Sequence, residues 1–336
     1  MRTLCSGFLL GSLALITGCD SSPKEASTPN KTTSALVAPG APGDNPVWAF
    51  SGKTGIGTSY EAYRDGHYHD NASTGTVSKV WFSLAEGIIT ETMYGMIHEA
   101  QIKDIQFFIQ GKDFLHEESK DTISHIEYLH TDAEGRPLSL AYKIINRDKQ
   151  NRYEIEKHVF TDPDGQSLVF RVLFRAHDSN ITPWLHITPQ VANTGINDKA
   201  WQENGIWYAQ EGNTTLAVKT DAPVANSTVG FMGQSDGITQ LQQFGKLQHA
   251  YTTTGDSHGH VGITLQLPEL NNESADWQFA IGFGDSPANS AKQAEATLKR
   301  GYETVLAHNN GEGEHIGWQD YLESLPQLPA LSADVF

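Results

Sequence analysis

Two pairs of histidines are the first residues of this 336-residue chain whose spacing could do chemistry: His67 and His69 in His67-Tyr68-His69-Asp70, and His258 and His260 in His258-Gly259-His260. On a strand, side chains at i and i+2 point to one side, so each pair could share a metal ion. Neither pair has a third ligand at a telling distance, and both lie among Gly, Asp and Thr. They read as loop residues, and no metal is expected. Asp162-Pro163-Asp164-Gly165 offers carboxylates to calcium but lacks the rest of an EF-type loop, and reads as a hairpin turn. No G-x-S-x-G elbow, P-loop or dinucleotide fingerprint occurs, so no cofactor is expected.

Binding chemistry is better represented than catalytic chemistry. Trp184, Trp201, Trp207 and Tyr208 cluster in a loop-rich part of the sequence and could line a glycan surface, since sugars stack their apolar faces on such rings. The competing role for Trp and Tyr in a large β-domain is core or rim packing. The formal charge of −17 repels phosphate backbones and anionic headgroups, which argues against nucleic acid and favours neutral partners such as an oligosaccharide.

The elements that must position these residues are mostly strands. From Ser78 to Ile109, three apolar, β-branched-rich runs are separated by Glu86-Gly87 and by Gly95 to Glu99, the pattern of a β-meander. Further short runs follow: Ile123 to Tyr128, Ser139 to Ile145, Tyr153 to Phe160, Leu168 to Phe174, Leu185 to Ile187, Gly205 to Tyr208, Thr215 to Val218, Gly262 to Leu267 and Trp277 to Phe283. Turn signals such as Asn193-Thr194-Gly195 and Asn204-Gly205 punctuate them. So many short strands predict a mainly β antiparallel sandwich of two large stacked sheets over residues 46–285. Asp285 or Ser286 can cap a helix whose first turn suits Pro287, with Ala291, Ala294, Leu298, Tyr302 and Val305 on one face, ending at Asn309 to Gly313. Trp318, Tyr321, Leu322 and Leu325 form a second amphipathic segment, expected to pack on the sandwich or on a partner domain. Residues 286–336 thus read as a helical linker.

The start of the chain is of another kind. Arg2, the apolar run Leu4 to Ile16 and Thr17-Gly18-Cys19 read as a secretory signal over residues 1–18, too short for a stable membrane span. Ile16-Thr17-Gly18-Cys19 resembles a bacterial lipobox, which would make Cys19 the lipidated first residue of an exported lipoprotein, held by that lipid anchor at a membrane and facing the periplasm or cell surface. The other cysteine, Cys5, lies inside the leader, so no disulfide is expected. Residues 19–45, rich in Ser, Thr, Pro, Ala and Lys, read as a flexible tether.

Several separated pieces carry a family resemblance. Trp81-Phe82-Ser83-Leu84, Gly87-Ile88-Ile89-Thr90-Glu91, Gln101-Ile102-Lys103-Asp104-Ile105-Gln106, Gly230-Phe231-Met232-Gly233-Gln234-Ser235-Asp236-Gly237 and Ala280-Ile281-Gly282-Phe283-Gly284 together resemble the N-terminal domain of bacterial glucoamylases and glucodextranases, glycoside hydrolase family 15. Where that family carries a proline after an aromatic pair, this chain has Met93-Tyr94-Gly95. The resemblance implies a galactose mutarotase-like β-supersandwich, a non-catalytic module in α-glucan breakdown. The family's two catalytic glutamates sit on a separate (α/α) barrel, expected as a partner domain, so no catalytic residue is assigned here, and Glu91 and Asp104 read as structural. Two alternatives stay open. One is a free-standing carbohydrate-binding surface lipoprotein; the other is a mutarotase-like epimerase working through strand histidines such as His125, His158 and His186.

Overall fold

The punctuated apolar runs fold as antiparallel strands joined by turns whose residues accept positive φ. The computed structural model describes residues 35–325 apart from 47–48, 61, 65–66 and 70–77. The strands are β1 (Gly55–Thr58), β2 (Ala62–Arg64), β3 (His67–His69), β4 (Val80–Ala85), β5 (Ile88–Tyr94), β6 (Ala100–Gln110) and β7 (Leu115–Glu117). After the single-turn helix α1 (Glu118–Asp121) come β8 (Thr122–Tyr128), β9 (Tyr142–Asp148), β10 (Tyr153–Thr161), β11 (Ser167–Ala176), β12 (Thr182–Pro189), β13 (Lys199–Glu203), β14 (Ile206–Glu211), β15 (Thr214–Thr220) and β16 (Asn226–Phe231). Helix α2 (Gly237–Phe244) precedes β17 (Val261–Gln266) and β18 (Ser274–Gly284), and α3 (Pro287–Arg300), α4 (Tyr302–Asn310) and α5 (Trp318–Ser324) follow.

Two eight-stranded sheets result. The first runs β1-β4-β5-β6-β12-β17-β16 with β7 added beside β6; the second runs β13-β14-β15-β18-β11-β10-β9-β8. Every pairing within them is antiparallel. The meander expected between Ser78 and Ile109 is β4-β5-β6. Its first turn is two residues long, and Glu86 and Gly87 have φ of 52° and 75°, the requirement of a type I′ hairpin. Asn204-Gly205 joins β13 to β14 in the same way, with φ of 52° and 70°.

Alternation along each strand sends one row of side chains into the space between the sheets. Phe82, Leu84, Ile105, Phe107, Leu185 and Ile263 from the first sheet meet Ile155, Phe170, Leu216, Phe279 and Ile281 from the second, all essentially inaccessible to water. Phe170 and Phe279 stack at 4.8 Å, and Tyr94 stacks on Phe283 across the sheets at 5.4 Å. Each such side chain contributes about 1.5–3 kcal/mol by leaving water.

One inward position of β10 breaks the pattern. Between Ile155 and Val159 stands Lys157, wholly buried, with its ammonium 2.7 Å from the equally buried Glu118 of α1. Glu118 also accepts from Asn146 Nδ2 at 2.6 Å and from the Phe107 amide at 2.9 Å. The Gly87 carbonyl accepts from Asn146 Nδ2 at 2.8 Å and Lys157 Nζ at 3.2 Å. The network therefore ties the β4–β5 turn, β6 and α1 to β9 and β10 of the opposite sheet. Burial pulls the Lys157 pKa down, against the opposing pull of Glu118. A side chain at position 87 would place its Cβ 2.0 Å from Ser124 Oγ, so the turn needs glycine for space as well as for φ.

The helical tail departs from expectation in one place. Ser286 caps α3 through the Asn289 amide, and Ala294, Tyr302 and Val305 are buried, as the sequence pattern requires. The helix does not run on to Asn309, however: Gly301, at φ 84°, divides it into α3 and α4. Several elements were not foreseen, among them β1, β7, α1, β13, β16, α2 and the β2–β3 hairpin, whose second strand replaces the loop expected at His67 to His69. The β16 run Asn226-Ser227-Thr228 is too polar to signal a strand, and α2 is short, although its Asp236 cap on the Thr239 amide is legible. The end of the expected tether is also not free. Between Leu36 and Asp44 the chain bonds to Thr252, Thr253, Met232 and His260, and Ala38 is buried. Cys19 and the leader lie outside the described residues.

Replacing Lys157 by Met alone strands the Glu118 charge in the core and is expected to cost about 3–5 kcal/mol in urea unfolding. Combining it with Glu118→Gln should recover a large part of that loss. Equal losses in the single and double variants would contradict the pairing.

Candidate functional site

The four aromatic residues expected to share a glycan surface do not share one. Trp184 lies on β12 of the first sheet, 2% exposed, packed with Phe108, Ile238 and Leu241 beneath α2, its Nε1 donating to Gln110 at 3.2 Å. Trp201, Trp207 and Tyr208 belong to the second sheet, where Trp207 and Tyr208 are 3% and 7% exposed. Trp201 stacks on its cross-strand partner Tyr208 at 4.9 Å, while Trp207 joins the inter-sheet core. Adjacent residues on a strand face opposite ways, so 207 and 208 could never line one surface.

The histidines are equally dispersed. His158 bonds to the Tyr302 hydroxyl at 2.7 Å and to Glu156 at 2.9 Å, and His125 lies 3.4 Å from Glu127, both on the second sheet; His186 is on the first. The three therefore do not converge on one site. His258 is exposed and bonds to the Asn197 carbonyl, whereas His260 is buried and bonds to the Asp44 carbonyl. The side chains of His67 and His69 lie outside the described residues. No group of three His, Cys, Asp or Glu able to hold a metal exists among the described residues. Asp162-Pro163-Asp164-Gly165 is the β10–β11 turn, and its carboxylates are taken by protein partners. Asp162 binds Thr297 and Arg300, and Asp164 binds His308, fastening α3 and α4 to the sandwich.

The outer face of the first sheet carries a sealed polar layer. Asp104 accepts from Thr188 Oγ1 at 3.2 Å, and His186 Nδ1 meets Thr264 Oγ1 at 2.9 Å. Gly262 makes room there, since a Cβ would stand 2.8 Å from the His186 ring. Burial pushes Asp104 up to about 6 and His186 down to about 4. Both are under 5% exposed, so neither can exchange protons with a substrate. Glu91, the other family-motif carboxylate, is tied to the Phe50 amide, Lys53 and Ser83.

Trp318, Tyr321, Leu322 and Leu325 pack differently from one another. Trp318 Nε1 donates to the Thr58 carbonyl at 2.9 Å, and both rings meet Tyr60, at 5.7 and 5.2 Å. Leu322 is half-buried and Leu325 exposed. Helix α5 thus docks at the β1 end of the first sheet.

An opening with mixed lining lies at that same sheet's β1 edge, facing β8 of the second. Ser124, Ile126 and Tyr128 pair with Asn146, Ile144 and Tyr142 of β9, so they point the same way as those residues, toward the inter-sheet space. Strand β1 lies over β10 and β9, where the Tyr142 hydroxyl donates to the Ile56 carbonyl at 2.8 Å. Beyond it, β8 is left uncovered. The result is a trough of about 700 Å³, with Thr54, Ser124, Ile126, Glu127, Tyr128 and Tyr142 in its walls. Tyr128 and Tyr142 stand 5.0 Å apart at 31°. Burial raises the Tyr142 phenol, so the wall offers neutral hydroxyls, while the Glu127 carboxyl pairs with Lys143 on the opposite face of β8 and is held below its usual range there. This is a lining for binding rather than for proton transfer. The sequence shows these residues only as strand positions, because being at a sheet's edge is a property of topology.

The sealed layer has a pH signature. Asp104 is raised from 3.8 to about 6, so it binds a proton more tightly when folded. Its contribution is fullest below about pH 4, and about 3 kcal/mol of it is lost as pH rises through 6. The stability of Asp104→Asn relative to the parent should therefore rise by about 3 kcal/mol between pH 4 and pH 7 in urea titrations. A pH-independent difference would contradict the burial argument.

Comparison with known proteins supplies the family. The profile described as "Glucodextranase, domain N" matches residues 38–323. The glucoamylase of Clostridium sp. (strain G0005) is 28% identical over 300 residues, a match covering 86% of this chain and 38% of that protein. The crystal structure of a bacterial glucoamylase complexed with acarbose superimposes with a TM-score of 0.73 at 28% identity, covering 87% of this chain and 40% of the other. The chain spans well under half the length of both relatives. Two stacked antiparallel sheets, the meander Trp81 to Gln106 and the Gly230 to Gly237 corner agree with that match, and the chain belongs to the glucodextranase domain N family.

Proposed function

We propose that this chain is the non-catalytic N-terminal module of a glucoamylase-like glycoside hydrolase acting in α-glucan breakdown, partnered by a catalytic (α/α) barrel. The observation that carries the reading is the pair of coverages: the match takes in 86% of this chain but 38% of the glucoamylase, the proportion of one module. The chemistry agrees. An inverting glycosidase needs a carboxylic acid of raised pKa facing the sugar. The carboxyls that burial raises here, Asp104 and Asp198, are sealed from solvent. Incubated with soluble starch, the purified chain is expected to liberate no glucose above the protein-free control. Saturable glucose release would overturn the module reading.

We also infer that the protein is an exported lipoprotein anchored through Cys19, a reading supported by the Ile16-Thr17-Gly18-Cys19 sequence and its apolar leader. Expressed in a bacterial host, the parent should partition into the detergent phase and Cys19→Ala into the aqueous phase. Identical partitioning would remove the anchor.

A further inference from the structure

We propose that the trough at the β1–β8 edge is a binding subsite for a neutral oligosaccharide of α-linked glucose. The inference rests on the module reading for the choice of sugar, and on the following geometry for the site itself.

Across most of the second sheet the inward side chains are sealed by the first sheet, as Ile155, Phe170, Leu216 and Phe279 are. Strand β8 is the exception: Ser124 is exposed, Ile126 half-buried, and Tyr128 37% exposed. A closed sandwich would cover them, because open apolar and aromatic surface facing a cleft gains free energy when water is displaced. What stays open is Ile126 and Tyr128, with the buried Tyr142 ring packed beside Tyr128 and the Ser124 hydroxyl further along the strand. The Ser124 hydroxyl has no partner among the described residues, and Thr54, whose hydroxyl donates to the Leu84 carbonyl at 3.2 Å, stands on the wall. A pyranose presents an apolar C–H face and a rim of hydroxyl groups, and that is the complement of this lining. A volume of about 700 Å³ lies within the range of small-molecule sites.

Charge narrows the class. Neither lysine nor arginine lines the trough among the described residues; Lys157, which donates to the Gly87 carbonyl, is engaged by Glu118, and Lys143 by Glu127. With Glu86 among its lining residues and a chain charge of −17, the site disfavours sulfated or uronic glycans and phosphates. A neutral glycan meets no such penalty.

Titration calorimetry with maltoheptaose tests the site. The parent should bind, and Tyr128→Ala should weaken binding by about tenfold or more, whereas Tyr128→Phe, which keeps the ring, should stay within about threefold of the parent. Tyr128 is surface-facing, and matching thermal unfolding of the variants will verify that the fold is kept. Phe244→Ala, in the separate groove beside α2 lined by Gln243, Gln248 and Tyr251, should change nothing. Unaltered affinity in Tyr128→Ala, or loss in Phe244→Ala alone, would place the sugar elsewhere and overturn the inference. Equal affinity for cellohexaose would overturn the α-linked preference. No binding by the parent would overturn the subsite while leaving the module reading to the starch assay, and capture of a peptide in the trough instead of sugar would overturn it as well.

Discussion

A lysine and a glutamate facing each other in an otherwise apolar interior set the terms for this fold. Taking two charges out of water costs several kcal/mol per ion, so Lys157 and Glu118 persist only where further hydrogen-bond partners surround them. The Asn146 amide, the Phe107 amide and the Gly87 carbonyl are those partners. Apolar packing would hold two sheets together at many offsets, whereas this network is satisfied at one. It fixes the β4–β5 turn over β9 and β10, and with it the line along which β1 ends and β8 continues alone. The trough is a by-product of that registration.

Polar groups in the described structure divide by what surrounds them. On the outer face of the first sheet, Asp104, His186 and Thr264 are enclosed and bonded to one another or to neighbours, and they give the fold a dependence on pH. On the second sheet, Arg171 with Asp276 and Arg175 with Glu154 form open ladders, each pair worth at most about 1 kcal/mol. At the sandwich edge, the exposed Tyr128 ring and the Ser124 hydroxyl meet in a cavity.

Much of this was legible before any coordinates. Two-residue turns at Glu86-Gly87 and Asn204-Gly205, the alternation of Tyr153 to Phe160 and the Ser286-Pro287 cap each announced an element whose local chemistry agrees with its tertiary use. The aromatic cluster misled because proximity in sequence is not a shared face: Trp207 and Tyr208 diverge by strand geometry, and Trp184 joins the other sheet. Helix α2 leaves little trace in the sequence because its eight residues present only a short apolar stripe, and the apolar face that runs from Ala291 to Val305 hides the break at Gly301, whose φ of 84° stops α3. Edge position, burial of Lys157 and the trough are products of long-range pairing, which no local window contains.

The two ends of the described chain are fastened at opposite margins of one sheet. The segment from Ala38 to Asp44 is bonded beside β16 and β17, while Trp318 and Tyr321 grip Thr58 and Tyr60 just past β1. A pull applied between these attachments would act across the sheet, perpendicular to its strands, through each ladder in series. Mechanical resistance would then be set by the weakest single ladder rather than by their sum, so the protein would yield under tension by peeling strands apart one at a time.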